Sequence, residues 1–172
     1  MKKVVVIGAE SSGKSTLCAQ LAAHYGTTWC PEYAREFLTK NGTSYTYDDL
    51  LTIAQGQLNL EDGLCNDVKS NLYIIDTDMY VMKVWCEVAF QNCHTWILKQ
   101  IAERRCDLYL LCDVDLPWQT DELREYPDLE FRKKLFKMYK DIVVNSGAEW
   151  SLISGTDNER MKKATAAIDS LL

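Results

Sequence analysis

One short segment near the start of the chain, residues 8–15, reads Gly-Ala-Glu-Ser-Ser-Gly-Lys-Ser and matches the pattern G-x-x-x-x-G-K-[S/T]. In such a loop, unhindered backbone N–H groups surround a phosphate. The context supports this interpretation, because Lys2 to Ile7 is an apolar run and Leu17, Leu21 and Tyr25 then recur at helical spacing. The segment therefore predicts a strand, a phosphate-binding loop and a helix. The alternative is an ordinary strand–turn–helix with a glycine-containing surface turn.

The expected nucleotide contacts come from this loop and the first turn of its helix. They are Gly8, Glu10, Ser11, Ser12, Gly13, Lys14, Ser15 and Thr16. Lys14 would place its charge between the β- and γ-phosphates, and the Ser15 hydroxyl would bind Mg²⁺. The positive end of the helix that begins near Lys14 would favour the anion further.

Composition limits the class of protein and its partners. The chain has 172 residues, a formal net charge of −6 and a pI near 5.0. This length predicts a single domain over residues 1–172. The acidic balance argues against nucleic acid as the main partner, because binding to nucleic acid depends on clustered Lys and Arg. No apolar run approaches the ~20 residues that span a membrane, so no membrane partner is expected. No feature indicates an oligomeric state.

The cysteines predict a reducing environment. The seven cysteines form no C-x-x-C pair, which argues against zinc, and several stand where apolar residues belong. Free buried cysteines suit the cytoplasm. The strand and phosphate loop follow directly after Met1, which leaves no room for a signal peptide, so a cytoplasmic location is expected.

Apolar strands alternate with helical patterns along the whole chain. The strands are expected at Lys2–Ile7, Thr27–Cys30, Asn71–Asp76, Asp107–Asp113 and Glu149–Ile153. A short helix is expected from Pro31 to Lys40, a long one from about Tyr47, and a later one ending at Arg104 and Arg105. This alternation predicts an α/β fold with a mostly parallel sheet and helices on both faces. Ligands of such sheets bind beyond the carboxyl ends of the strands.

Acidic residues follow several of the predicted strands. Asp76 ends an apolar strand, which is the pattern that holds Mg²⁺ in phosphate-loop proteins. The alternative for Asp76 is a cap on the next helix, a role that Asp78 could equally take. Glu32 could accept the proton of a substrate hydroxyl or complement a helix dipole. Arg35 could pair with a carboxylate or orient a ribose, or it could be an unremarkable surface cation.

A long polar stretch, residues 113–128, follows the fourth predicted strand and contains two of the three prolines. It is too long and too polar for a simple connection and predicts a lid. Phosphoryl transfer requires exclusion of water and a cation at the charge that develops on the γ-phosphoryl group. Arg124 is the candidate for that cation, with Arg132 behind it. The alternative is a solvated loop with an incidental arginine.

The ordered set of these segments resembles a known family. The segments are Gly8–Leu17, Glu32–Glu36, Ile75–Asp78 and the stretch from Trp118 through Asp121 to Leu123 and Arg124. Together they are similar to the ribosylnicotinamide kinase domain of NadR-type NAD-biosynthesis proteins and their stand-alone relatives, which are often described as AAA-type ATPases. The resemblance extends over the whole chain.

The resemblance implies a P-loop fold of the nucleoside and nucleotide kinase type, with a five-stranded parallel sheet in the order 2-3-1-4-5. It also implies ATP and Mg²⁺ as cofactors and transfer of a phosphoryl group to the 5′-hydroxyl of a nucleoside, namely nicotinamide riboside in NAD salvage. Lys14, Glu32, Asp76 and Arg124 would be catalytic, Ser15 and Asp76 would bind the metal, and Glu32, Tyr33, Arg35 and Asp78 would contact the substrate.

One position departs from that family. The family has a Trp directly before Glu-Tyr, where Pro31 stands in this chain. Trp29, Tyr33 and Trp85 are the remaining candidates for stacking on a pyridinium ring, although aromatic residues in strands and on apolar helix faces more often belong to the core. Two alternative functions therefore stay open: a kinase for another nucleoside or nucleotide, and a nucleotide-dependent regulatory ATPase or switch.

Overall fold

The structure, a computed structural model, describes all residues from 1 to 172. The strands are β1 (Lys2–Ile7), β2 (Trp29–Cys30), β3 (Leu72–Asp76), β4 (Leu108–Cys112) and β5 (Glu149–Ile153). The helices are α1 (Lys14–Tyr25), α2 (Tyr33–Asn41), α3 (Tyr47–Cys65), α4 (Met79–Phe90), α5 (Thr95–Glu103), α6 (Leu129–Asn145) and α7 (Asp157–Leu171). None of these helices is both long and apolar enough to cross a bilayer.

The five strands form one parallel sheet in the order β2-β3-β1-β4-β5. The predicted α/β fold and strand order are thereby confirmed. Every residue of β3 and β4 is buried, as expected for central strands of a sheet that helices cover on both faces. The edge strand β5 leaves Glu149 and Trp150 exposed.

The sheet separates two apolar clusters, and strand β1 contributes alternately to both. Val4 and Val6 pack with residues of α1 and α7 on one face. Val5 and Ile7 pack with residues of α4 and α6 on the other. Side chains alternate across a strand, so a continuous apolar run supplies both cores at once. A third cluster joins α2, α3, α4 and α5 and contains no strand residue.

Three predicted boundaries differ from the structure by two residues. The second strand starts at Trp29 and not at Thr27. At Thr27 the side-chain hydroxyl, and not the backbone N–H, donates to the carbonyl of Leu72, 2.5 Å away. Helix α2 starts at Tyr33 because Glu32 keeps an extended backbone and forms the N-cap position. Helix α5 ends at Glu103, since Arg104 is extended and its guanidinium binds the carboxylate of Asp62.

Helix α3 contains two glycines, of which one contacts an aromatic ring and the other faces open space. A Cβ atom on Gly56 would lie 2.1 Å from the ring of Tyr33, whereas a Cβ on Gly63 would meet nothing within 4 Å. The aromatic ring of Tyr33 therefore packs directly on the backbone of α3. Tyr33 follows Glu32 in sequence, so this close approach fixes the start of α2.

We expect Gly56→Ala to destabilise the protein by ~1–3 kcal/mol, because the ring of Tyr33 must move. Gly63→Ala is the matched control in the same helix and should be neutral or stabilising by up to ~1 kcal/mol, since alanine favours a helix over glycine. Urea unfolding of both variants measures the difference. Equal effects of the two substitutions would show that Tyr33 does not constrain position 56.

Candidate active site

The loop between β1 and α1 requires glycine at two positions. Gly8 and Gly13 have φ angles of 154° and 79°, which residues with a side chain rarely adopt. A Cβ on Gly8 would lie 2.9 Å from the carbonyl oxygen of Cys112, and one on Gly13 would lie 2.9 Å from Cδ1 of Leu116. The first contact is with rigid backbone. The glycines of the motif thus allow the loop to pass close to the end of β4.

Inside the loop, two side chains turn back on the backbone. The hydroxyl of Ser12 donates to the carbonyl of Ala9 at 2.7 Å, and Nζ of Lys14 donates to the same carbonyl at 3.1 Å. Ser12 is buried, so its hydroxyl stabilises the loop from within. Lys14 is only partly buried and lines the main cavity described below.

A residue that sequence analysis missed anchors this loop. The guanidinium of Arg160, on the first turn of α7, donates to the carbonyl of Ser12 at 2.9 Å and to that of Asp113 at 3.1 Å. It also pairs with the carboxylate of Asp115. Arg160 is 2% exposed. The sequence does contain one indication of this role. Arg160 stands four residues before Ala164 on the buried face of α7, where an arginine needs fixed partners.

Asp76 lies directly beside the phosphate loop. Strands β1 and β3 pair in a register that places Val6 opposite Asp76. The hydroxyl of Ser15 donates to Oδ2 of Asp76 at 2.5 Å. Burial raises the pKa of Asp76 to about 6, and the nearby Glu32 acts in the same direction, while Lys14 and the hydrogen bond from Ser15 oppose it.

Asp78, not Asp76, caps the helix that follows. Oδ1 of Asp78 accepts from the backbone N–H of Tyr80 at 2.9 Å, at the start of α4. Its other oxygen accepts from the hydroxyl of Tyr109 at 2.8 Å. Burial raises the pKa of Asp78 to about 6, against these hydrogen bonds. Of the two alternatives, the cap therefore belongs to Asp78, and the carboxylate of Asp76 remains turned to Ser15.

Two predicted substrate contacts lie outside the cavity. Both carboxylate oxygens of Asp78 bind within the protein, and Asp78 does not line the cavity. The ring of Tyr33 packs on Gly56, and Tyr33 does not line the cavity either. In this structure each of these side chains holds a helix in place, and a role of either residue in substrate binding stays a prediction.

A cavity of about 160 Å³, named the main cavity because the phosphate loop and Glu32 both line it, begins at the phosphate loop and extends between α2, α4 and α6. Glu32 and Arg35 line it from α2, close to Lys14 and Ser15 on the loop. Its remaining wall is mostly apolar and is formed by Ala34, Leu38, Val81, Val84, Trp85, Val88, Leu123, Tyr126, Leu135 and Tyr139. Among the three candidate stacking residues, only Trp85 reaches this cavity. The cavity is therefore polar at the loop and apolar farther in.

Residues 113–128 form the irregular connection between β4 and α6 and lie over the phosphate loop. The backbone N–H groups of Glu125 and Tyr126 donate to Oε2 of Glu10 at 3.0 and 3.1 Å. Nη1 of Arg124 lies 3.4 Å from the hydroxyl of Ser11. Burial raises the pKa of Glu10 although both backbone hydrogen bonds lower it. We call this segment, residues 113–128, the lid.

The lid also contacts the side of the cavity that lies opposite the phosphate loop. Nη1 of Arg35 donates to Oδ2 of Asp121 at 3.0 Å. The hydroxyl of Tyr45 donates to Oε2 of Glu125 at 2.9 Å, and it accepts from Nε1 of Trp85 at 2.8 Å. The lid therefore connects the phosphate loop on one side with α2 and α4 on the other.

Two arginines flank the indole of Trp118 in the lid. The guanidinium of Arg124 lies 5.9 Å from the ring centroid and that of Arg132 lies 5.3 Å from it. Arg132 is 3% exposed, and its Nε and Nη1 atoms have no hydrogen-bond partner. Arg124 lines the cavity, whereas Arg132 does not. The structure thus places Arg132 behind Arg124, as the sequence predicts.

A second cavity, of about 420 Å³, lies on the other side of the phosphate loop. Thr16 and Gln20 line it from α1, Leu116 and Pro117 from the lid, and Asp157 from the start of α7. Ser11 and Arg124 line both cavities. The phosphate loop therefore has one open space on each side.

No three His, Cys, Asp or Glu side chains converge on one point. Beside the loop, the side-chain oxygens of Ser15 and Asp76 form a pair suited to a divalent cation. All seven cysteines are free, and Cys18, Cys30, Cys86 and Cys112 are buried, as the sequence predicts.

A parallel sheet in the order 2-3-1-4-5 with a glycine-rich phosphate loop after β1 defines a P-loop protein with the fold of nucleoside and nucleotide kinases. The family model described as AAA domain matches residues 3–160. The chain belongs to this family.

Among curated relatives, the trifunctional NAD biosynthesis/regulator protein NadR of Escherichia coli K12 is 28% identical over 161 residues. The match covers 91% of this chain and 39% of NadR, so the chain corresponds to less than half of that relative.

Two solved structures share the fold. The crystal structure of NadR protein in complex with NR superposes with a TM-score of 0.76 at 21% identity, covering 98% of this chain and 50% of that one. Deoxyadenosine kinase from M. mycoides with bound dATP superposes with a TM-score of 0.68 at 12% identity, covering 98% of this chain and 100% of that one.

The raised pKa of Asp76 predicts how stability depends on pH without ligand. A carboxyl whose pKa rises on folding stabilises the protein below its unfolded pKa, and this stabilisation is lost as the pH rises through the folded pKa. We therefore expect Asp76→Asn to match the wild type near pH 3.8 and to become more stable than it as the pH passes about 6. Urea unfolding across this range, with a chelator present, measures the difference.

Asp107→Asn is the matched control, for which we expect a change in stability of the opposite sign. The backbone N–H of Lys3 and then the Lys2 side chain hold the pKa of Asp107 below its usual value. Stabilisation by Asp107 is therefore present above pH 3.8 and lost on acidification, so this variant should be less stable than the wild type at neutral pH. If the effect of Asp76→Asn on stability did not depend on pH, burial would not raise the pKa of Asp76.

Proposed function

We propose that this protein is an ATP-dependent kinase that transfers the γ-phosphoryl group to the 5′-hydroxyl of a nucleoside, with nicotinamide riboside as the first candidate. The observation that carries this proposal is the main cavity, which begins at Lys14 and Ser15, continues past Glu32 and ends in an apolar wall. A phosphate donor and a small acceptor with a polar end and an apolar end would meet in this one space. A regulatory ATPase has no need for the apolar half.

The donor nucleotide would occupy the phosphate loop and the second cavity. Backbone N–H groups of residues 8–15 and the start of α1 would bind the phosphates, with Lys14 adding its charge. The purine would lie between Gln20 of α1, Pro117 of the lid and Asp157 of α7, which line the second cavity. Gly8, Glu10, Ser11, Ser12, Gly13 and Thr16 complete the proposed nucleotide site.

Ser15 and Asp76 are the proposed ligands of Mg²⁺. Their oxygen atoms are 2.5 Å apart, and hard oxygen ligands suit this ion. Because no third acidic side chain joins them, the other ligands would be phosphate oxygens and water, which is the usual coordination of Mg²⁺ at nucleotides. When bound, the ion neutralises charge on the β- and γ-phosphates.

Glu32 is the proposed general base. It lines the cavity, whereas Asp76 is fully buried and hydrogen-bonded to Ser15. In the reaction, the proton of the acceptor hydroxyl passes to the Glu32 carboxylate as the acceptor oxygen bonds to the γ-phosphorus. The bond from that phosphorus to the bridging oxygen breaks, and ADP leaves with the electron pair. Arg35, at the same end of the cavity, is proposed to orient the sugar.

The identity of the acceptor rests on the relatives and on Trp85. NadR has been solved in complex with NR, and this chain resembles its kinase domain. Trp85 lines the apolar wall, where its ring could contact a cationic pyridinium. Pro31 replaces the family tryptophan, and the fold also matches deoxyadenosine kinase. These two observations favour another nucleoside as the second candidate.

The lid is proposed to close over the donor phosphates and to bring Arg124 to the γ-phosphoryl group. Arg124 already lies beside Ser11 of the loop and lines both cavities. A cation that binds mainly the transition state contributes to kcat more than to ground-state binding.

We therefore expect Arg124→Ala to lower kcat by roughly 10³-fold or more, with a smaller change in KM for ATP. Arg124→Lys should restore only part of the rate, because an ammonium group lacks the planar pair of donors of a guanidinium. Arg105→Ala, at an exposed arginine outside both cavities, is the control and should leave the rate unchanged. An effect confined to KM, or full rescue by lysine, would contradict this role.

The function itself is tested with a panel of nucleosides incubated with ATP and Mg²⁺. We expect release of ADP to depend on the acceptor, and kcat/KM to be highest for nicotinamide riboside, with the product identified by its mass. Lys14→Ala should abolish turnover and provides the background. A higher kcat/KM for another nucleoside would replace the candidate acceptor but keep the kinase. ADP release that no nucleoside accelerates would favour the regulatory ATPase.

A further inference from the structure

One buried polar group in the main cavity has no partner within the protein. Tyr139, on α6, is 5% exposed and lines the cavity. The structure contains two other buried tyrosines, and both are paired: Tyr73 donates to the carbonyl of Glu61 at 2.9 Å and Tyr109 donates to Asp78 at 2.8 Å. Buried hydroxyl groups in native proteins almost always have such a partner. Tyr139 is therefore the one buried tyrosine whose hydroxyl has no hydrogen-bond partner in the protein.

The hydroxyl of Tyr139 is not sealed off inside the protein, and Tyr139 lines the cavity. The only side-chain polar atoms that are sealed off without a partner are Nε and Nη1 of Arg132. The Tyr139 hydroxyl is not one of them, although it makes no hydrogen bond to the protein, so a molecule in the cavity can reach it. An entering ligand is then the natural partner for this group.

The position of this hydroxyl indicates which part of a ligand it meets. Burial raises the pKa of Tyr139 strongly, and the largest contribution from a charged group comes from Glu32. The phenol therefore stays neutral and can both donate and accept. Glu32 lies at the polar end of the cavity, whereas Val84, Trp85 and Val88 form the apolar end. Tyr139 also belongs to the same buried cluster as the end of β1 and the start of the phosphate loop. It therefore lies on the side of the reacting group, where the sugar of a nucleoside would be, and not its base.

We propose that Tyr139 is a specificity-determining residue whose hydroxyl binds a secondary hydroxyl of the acceptor sugar, so that the enzyme selects ribonucleosides over deoxynucleosides. This inference rests on the proposed nucleoside kinase function. A site that binds a substrate hydroxyl discriminates against analogues that lack it, because its own polar group is then left unpaired. Tyr139 lies on α6, the helix that follows the lid. It belongs to none of the segments that carry the family resemblance.

The test compares the wild type and Tyr139→Phe on three acceptors with the same base: the ribonucleoside and its 2′-deoxy and 3′-deoxy analogues. We expect Tyr139→Phe to lower kcat/KM for the ribonucleoside roughly threefold to tenfold, as for loss of one neutral hydrogen bond. For the deoxy analogue that lacks the partner hydroxyl, the variant and the wild type should be equally active. This pattern shows coupling between the two hydroxyl groups.

Tyr80→Phe is the matched control, because Tyr80 is half-buried on α4 outside the cavity. It should change kcat/KM equally little for all three acceptors. Equal losses by Tyr139→Phe on all three acceptors, or no loss on any, would overturn the specificity role while leaving the kinase intact. If the wild type itself phosphorylates no nucleoside, the proposed function fails and this inference fails with it.

Discussion

The hydrogen bond between Ser15 and Asp76 depends on one feature of the sheet, namely the adjacency of β1 and β3 as parallel strands. Their register places Val6 opposite Asp76, so the residue after β1 enters the phosphate loop at the level where β3 ends. Strand β2 then pairs with the other edge of β3, with Cys30 opposite Ile75. This pairing brings Glu32 to the same end of the sheet. The phosphate loop, the proposed metal ligands and the proposed base therefore share one edge of the sheet, because the three strands run in parallel.

The lid completes the site with weak contacts. Its ion pair with Arg35 joins side chains that are 52% and 25% exposed, and such exposed pairs contribute ~1 kcal/mol or less. Its contacts with the phosphate loop are hydrogen bonds to Glu10 and Ser11, both of which line the cavity. Contacts of this kind suit the proposed opening and closing of the lid over the donor phosphates. By contrast, buried Arg160 holds in place both the phosphate loop, at Ser12, and the start of the lid, at Asp113 and Asp115.

Sequence patterns predicted those parts of the site that depend on short segments. The loop of residues 8–15 and the carboxylate of Asp76 follow from an apolar strand with a defined polar ending, and both lie where expected. Sequence patterns did not predict how distant elements pack together. Arg160 reaches a carbonyl 148 positions earlier in the chain, and Tyr33 turns to α3 because Gly56 leaves room for its ring. The open hydroxyl of Tyr139 becomes visible only once α6 packs on the cavity.

The proposed function rests on transfer of the γ-phosphoryl group to a nucleoside and not to water. Its most direct measurement uses ATP labelled in the γ-phosphate, incubated with the protein, Mg²⁺ and nicotinamide riboside. We expect the label to appear in a nucleoside monophosphate, in amounts equal to the ADP formed. Label that appears only in free phosphate, at a rate unaffected by any nucleoside, would contradict it.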